Sequence, residues 1–285
     1  MNIAVDRLKE LGDLRACVTL QRAILGGRTP SVWDIPPLSS VLQSGGLLLG
    51  VRETPHPSAP LQGALVDLVA EFDGHSARHT AFYGVLKGAR NQGIGQWMRA
   101  AEREICRREG VHLVGWTFDP LCGVEAHIAF NKLGAIATGH RRNLYGVLPD
   151  RPNAGLATDR FLIEWWIESP RVVAVSDRGN LPPHYRVGLQ DMTVVTHTQV
   201  SSGLRVLTGY DENPTSRFVL TEIPVDLDRL RARDLAVVQG WRIQSRDVFE
   251  HLFEKGYVGV GFIHEGGRSF HLFEKTDRES VLKEY

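Results

Sequence analysis

The stretch ARNQGIGQWM, residues 89–98, joins the apolar run HTAFYGVLK (79–87) to the charged run IGQWMRAAEREICRRE (94–109). It sets Arg90, Gly93 and Gly95 where a strand gives way to a helix. Glycine allows positive φ and close approach to the backbone. The first amides of a helix have no intrahelical acceptor, and the helix dipole favours negative charge there. The turn therefore reads as a cradle for an anion such as a pyrophosphate. Two better-known glycine turns do not fit. A P-loop needs GxxxxGK[ST], and no Lys-Ser or Lys-Thr follows these glycines. A dinucleotide turn opens a parallel βαβ unit, whereas an antiparallel meander precedes this one.

Working upstream, NIAVDRL (2–8) reads as a short strand and GDLRACVTLQRAIL (12–25) as a helix. SVWDIPPLSSVLQSG (31–45) predicts a second helix ending at Gly45–Gly46. GLLLGVRE, LQGALVDLVAEFDG and HTAFYGVLK are strands, the first two joined by the proline-rich TPHPSAP (54–60). Downstream, Ile94, Trp97, Met98, Ala101 and Ile105 predict one buried helical stripe. Glu104 and Arg108 form an i,i+4 pair, and Gly110 stops the helix. VHLVGWTF (111–118) is a buried strand and VEAHIAFNKLGA a short helix closed by Gly134. IATGHRRNLYGV and RFLIEWWIE are strands flanking the loop 146–158.

Past Pro170, the segments RVVAVS, LRVLTGY and RFVLTEIP read as strands. A helix over about 234–255 turns Leu235, Val238, Trp241, Val248, Phe249 and Leu252 inward, with Gly240 in its interior. YVGVGFIHEGGRSFHLFEK closes the chain as a hairpin around Gly266–Gly267. A domain boundary is expected at 168/169. The segment EIPVDLDRLRARD before the last long helix has no glycine, so no second anion cradle is expected in 169–285.

The 285 residues balance 33 Lys+Arg against 33 Asp+Glu, which gives no net field toward nucleic acid or an anionic membrane. No apolar run reaches the roughly 20 residues of a membrane helix. MNIAVDRLKELGDLRA lacks the features of a signal peptide. Cys17, Cys106 and Cys122 form no CxxC pair, as expected of a reduced, cytoplasmic setting without a disulfide framework or thiolate metal site.

The motif R-x-x-G-x-G after the fourth strand, the meander before it, the strand VHLVGWTF after it and the helix end AFNKLGA resemble the GNAT superfamily of acyl-CoA-dependent N-acyltransferases over residues 1–168. WTFDPL (116–121), FNKLGA (130–135), YG (145–146) and TDRFLIEW (158–165) are similar to a branch of long members with an extra C-terminal region. That branch includes N-acyltransferases of amino acids, some using succinyl-CoA. The resemblance implies an α+β fold, with a mostly antiparallel central sheet flanked by helices. It also implies a second, smaller α/β domain in 169–285, like a degenerate half of the first, covering the acceptor site. The implied activity is transfer of an acetyl or succinyl group from the CoA thioester to a small-molecule amine by direct attack, without metal. A homodimer is compatible with it.

By the same resemblance Arg90, Asn91, Gln92, Gly93, Ile94 and Gly95 would hold the pyrophosphate, with Gln96 and Asn131 as further contacts. Val85 and Leu86 would pair with the pantetheine amides. The family's usual thiolate acid is a Tyr where this chain has Phe130, and its Asn corresponds to Gly123. Tyr83, Tyr145 or a water would take the acid's place. Glu71, His79, Asp119, Glu125 or a water relay are the candidate bases. Arg141, Arg142 and Arg160 are candidates for a substrate carboxylate, because a guanidinium fork matches it. His75 and His79 lie on a hairpin rather than a helix, so their spacing suits no zinc site. Cys122 reads as a helix-start residue, and Arg242 and Arg246 as a solvated helix face. Phe130 also leaves open a non-catalytic acyl-CoA-binding or interaction module.

Overall fold

The structure, a computed structural model, describes residues 4–27, 29–54, 56, 58–179, 181, 185 and 192–283. Asn2 and Ile3 of the expected first strand, and Pro55 and Pro57 of the proline-rich link, lie outside them. The chain forms two compact units. Unit 1 holds residues 1–116 and 148–154, and unit 2 holds 117–147 and 155–285.

Unit 1 contains β1 (Val5–Arg7), α1 (Leu11–Leu25), α2 (Ile35–Gln43), β2 (Leu47–Arg52), β3 (Leu61–Phe72), β4 (His75–Val85), α3 (Ile94–Arg108) and most of β5 (Leu113–Phe118). The order is β1-β2-β3-β4-β5; the first three pairings are antiparallel and β4–β5 is parallel. β2 is buried along its whole length because both faces of the sheet are covered. Its alternation divides it: Leu48 packs with Leu14, Cys17, Val18, Leu38 and Val41 of α1 and α2. Leu47, Leu49 and Val51 pack with Ile94 and Met98 of α3. The register of β4 on β3 jumps from Val66↔Phe82 to Asp67↔Thr80, which leaves Ala81 as a bulge.

The buried face of α3 departs from the expected stripe. Trp97 is 41% exposed, while Arg99 and Glu102 are buried beside Ile94, Met98 and Cys106. Glu104 pairs with Arg108 as expected.

Unit 2 contains α4 (Gly123–Ala126), which runs into a π-helical turn over His127–Lys132, then β6 (Ile136–Arg141), β7 (Arg160–Trp166) and α5 (Pro170–Arg178). β8 (Thr193–Val194), β9 (Thr196–Ser201), β10 (Leu204–Tyr210), β11 (Phe218–Ile223), α6 (Leu227–Arg233), α7 (Leu235–Glu254), β12 (Tyr257–Glu265), β13 (Arg268–Lys275) and α8 (Arg278–Lys283) complete it. Its sheet runs β7-β6-β12-β13-β11-β8, with β9–β10 a separate hairpin. Phe118, Phe130, Phe161, Phe249 and Phe273 form an aromatic core around His271.

RVVAVS is helical, not a strand. Ser169 accepts from the Val172 amide, Pro170 opens the helix, and Gly179 closes it at φ +70°. Val172 and Val175 are the buried i,i+3 pair that the β-branched run disguised. The class is mixed α/β: a core sheet flanked by helices, with a further β/α region.

Candidate functional site

Val85, the last residue of β4, pairs with Gly63, and the Leu86 amide donates to the Gln62 carbonyl at 2.8 Å. The Leu86 amide is thus spent on β3. A 3-10 turn over Lys87–Ala89 follows. Asn91 and Gly93 then adopt left-handed φ of +62° and +81°, and Gly93 is the N-cap of α3. No side chain caps this end, and its first turn holds no acidic residue. The first intrahelical bond is from the Trp97 amide to the Gly93 carbonyl, at 3.0 Å. The amides of Ile94, Gly95 and Gln96 therefore lack intrahelical acceptors. Arg90, Asn91, Gln92, Gly93 and Gln96 are exposed. Arg90 Nε donates to the Val85 carbonyl at 3.3 Å, tying the loop to the strand end. An open, uncapped helix start beside a cation attracts anions.

The two glycines serve different ends. Gly93 supplies the left-handed conformation. A Cβ on Gly95 would overlap the Tyr83 hydroxyl oxygen, so Gly95 makes room for a tyrosine from within the protein.

β4 and β5 pair through Ala77↔Leu113, Arg78↔Val114 and His79↔Gly115, and both strands continue past the last rung. Just beyond it the Arg99 guanidinium lies over two rings, 4.7 Å from the Tyr83 centroid and 4.3 Å from Trp116. Arg99 Nη1 donates to both Glu102 oxygens (2.9 and 2.8 Å) and to Thr80 Oγ1 (2.9 Å). Asp67, fully buried, completes this cluster beside Glu102, Arg99 and Thr80. Burial raises its pKa well above the usual carboxylate range, and the Glu102 charge adds to this against the opposing pull of Arg99. Sequence reading missed the cluster because only periodicity of apolar residues was available to orient α3.

Of the candidate bases, half-buried His79 occupies that last rung, and burial lowers its pKa, favouring a neutral ring. Glu71 is exposed and pairs with Ser76 beside the β3–β4 turn. Eight strand steps separate it from Gly63, the partner of Val85, about 26 Å along β3.

The remaining candidates belong to unit 2. Asp119 accepts from the Leu121 amide at 2.8 Å and forms an ion pair with Arg242, which is only 2% exposed. Arg246 forks onto Asp159 at 2.6 and 2.9 Å. Neither arginine belongs to a merely solvated face. The Tyr145 hydroxyl is 2.9 Å from Thr117 Oγ1, and the Arg160 guanidinium stands 5.5 Å from the Tyr145 ring. Arg141 is the cross-strand partner of Arg160. Arg142 is instead paired with Asp247 and Glu250, which raise its pKa. Asn131 clasps the backbone of Phe262, donating to its carbonyl (2.7 Å) and accepting from its amide (3.0 Å). Phe130 is fully buried against Phe118 and His271. Glu125 is exposed in α4. Burial pushes the Cys122 thiol up, away from a nucleophilic thiolate.

Among the described residues, no group of three or more His, Cys, Asp or Glu side chains could hold a metal ion. Among them also, no helix is long and apolar enough to cross a membrane.

No family model matches this chain, and no curated protein matches it. Solved structures align with part of its length, at TM-scores below 0.5. The NatC complex bound to Gag peptide and CoA is 15% identical, with 57% of this chain and 98% of that chain covered at a TM-score of 0.46. The Escherichia coli ribosomal-protein-S18-alanine N-acetyltransferase is also 15% identical, covering 58% and 94% at 0.45. Arabidopsis thaliana Naa50 in complex with the bisubstrate analogue CoA-Ac-MVNAL is 12% identical, covering 57% and 98% at 0.44.

Proposed function

We propose that the protein is an acyl-CoA-dependent N-acyltransferase acting on a small-molecule amine. The open start of α3, with left-handed Asn91 and Gly93 and no capping side chain, carries this reading. The amides of Ile94, Gly95 and Gln96 would hold the pyrophosphate, and Arg90 would add charge. Bound CoA would supply an activated acyl thioester. His79 is the preferred base, because its ring favours the neutral form and sits at the last β4–β5 rung. Asp119 has a structural partner in Arg242, and Glu71 stands at the far end of the hairpin. Tyr145 and Tyr83 are the candidate proton donors in place of Phe130. Residues 1–168 are the proposed acyl-CoA-binding domain.

For the acyl group, the cross-strand Arg141 and Arg160 beside Tyr145 suit a distal carboxylate, as in a succinyl group. Arg142 suits it less, being already paired. Thiol release from acetyl- and succinyl-CoA with an amine panel tests the activity, with CoA affinity measured by calorimetry on the same sample. Turnover with at least one donor is expected. Tight CoA binding with no turnover would make the chain a binding module, and no CoA binding would overturn the site. Arg160→Met and Arg141→Met should lower kcat/KM for succinyl-CoA about tenfold or more while sparing acetyl-CoA. Equal losses with both donors would remove the arginines from acyl choice.

A further inference from the structure

A cavity of about 270 Å³ lies wholly within unit 2, between β10, β11, α6, α7 and the β12–β13 turn. Its floor is apolar: Trp241 and Ile223, each 1% exposed, with Leu204, Pro224 and Leu230. The Trp241 indole is fixed by its Nε1–H, which donates to the Arg205 carbonyl at 2.9 Å. Three arginines line the walls. Arg229 and Arg233 stand one turn apart on α6, both exposed, and neither makes an ion pair among the described residues.

The carboxylates of the cavity are already engaged. Glu222 accepts from Arg268 Nε and Nη2 (2.9 and 2.5 Å) and from Thr198 (2.6 Å), and it lies 3.3 Å from Arg205 Nε. Asp226 caps α6 by accepting from the Arg229 amide at 2.9 Å. Two uncommitted guanidiniums over an aromatic and aliphatic floor make an asymmetric site, with anion recognition at one wall and apolar recognition beneath. A volume of about 270 Å³ admits a small organic acid.

We propose that this cavity is a second small-molecule site, for a monocarboxylate with a compact aromatic or branched aliphatic body. The carboxylate meets Arg229 and Arg233, and the apolar body rests on Trp241, Ile223 and Leu230. The site is separate from the α3 helix start and stands whether or not the protein transfers acyl groups.

Calorimetry and tryptophan fluorescence on the full chain would test it with phenylacetate, benzoate and 3-methylbutanoate. Two control probes, 2-phenylethanol and inorganic phosphate, carry one half of the recognition each. At least one acid should bind saturably with one site per chain, at least tenfold tighter than either control. The double variant Arg229→Gln/Arg233→Gln should weaken that acid at least tenfold and leave CoA affinity unchanged. Both side chains are exposed, so the variant should keep the wild-type melting temperature without ligand. Absence of saturable binding by all three acids would overturn the proposal, as would unchanged affinity in the folded double variant. Phosphate binding as tightly as the acids would reduce the site to a cation pair and overturn the apolar half.

Discussion

At Gly95 the space a side chain would fill is taken by the Tyr83 hydroxyl, so this position can be tested against a partner inside the protein. Gly95→Ala alone must push the tyrosine aside, and overpacking of this kind costs about 1–3 kcal/mol. In a Tyr83→Phe background the hydroxyl is gone, and the nearest ring atom, Cζ, lies 3.2 Å from the new methyl. The penalty should then fall by at least about 1 kcal/mol, a coupling that a double-mutant cycle in urea reads directly. Additive losses would mean that Gly95 is required for its backbone rather than for Tyr83. The glycine turn before α3 was legible in the sequence, because Gly93 takes the left-handed conformation that glycine adopts freely. Asp67, Arg99 and Glu102 were not. A charged side chain reads as solvated until its partners are known, and those partners sit on β3, β4 and α3.

Among elements, legibility followed how fully local signals agreed. The meander carries strand and turn signals that agree, and α7 carries periodicity, an Asp234 cap and a glycine stop that point the same way. For α5 they conflicted: three valines in four residues suggested a strand, while Ser169, Pro170 and Gly179 framed a helix, and the caps prevailed. In α6 and α7 two aspartates set the breaks, Asp226 capping Arg229 and Asp234 capping Val237. Gly240 lies inside α7, and a Cβ there would meet nothing within 4 Å. Gly240→Ala should therefore stabilise the protein by about 0.5–1 kcal/mol, through higher helix propensity and a less free unfolded chain. A raised urea midpoint with unchanged slope checks this, and a lowered midpoint would show that α7 needs glycine for a reason absent from its surroundings.

Across the whole molecule, the mixed α/β class was readable from element order. Compactness follows contacts between distant segments, which local patterning does not encode. The same distant packing creates the pH response. His271 is fully buried among Phe130, Phe161, Phe249 and Phe273, with Nε2 donating to the Pro120 carbonyl at 2.6 Å. Burial lowers its pKa to about 4 from the model-peptide value of 6.5. Between those values the unfolded chain binds the proton and the folded chain does not, so stability falls as pH drops through that window. The loss from this one ring reaches about 2 kcal/mol at pH 5 relative to pH 8. Burial lowers His79, His127 and His140 as well, and they act in the same direction. Asp67 opposes them: its raised pKa makes the folded chain the better proton binder, stabilising the protein as pH falls toward the usual carboxylate value. Comparing wild type with His271→Phe isolates the ring, because the other groups are common to both. Phenylalanine fits an aromatic surround and forfeits one hydrogen bond, so the variant should be less stable at pH 8. The gap should close by about 2 kcal/mol by pH 5, read from urea midpoints at each pH. A gap that stays constant from pH 8 to pH 5 would mean that His271 takes up its proton within the fold, in an interior far more accessible to water than this aromatic core.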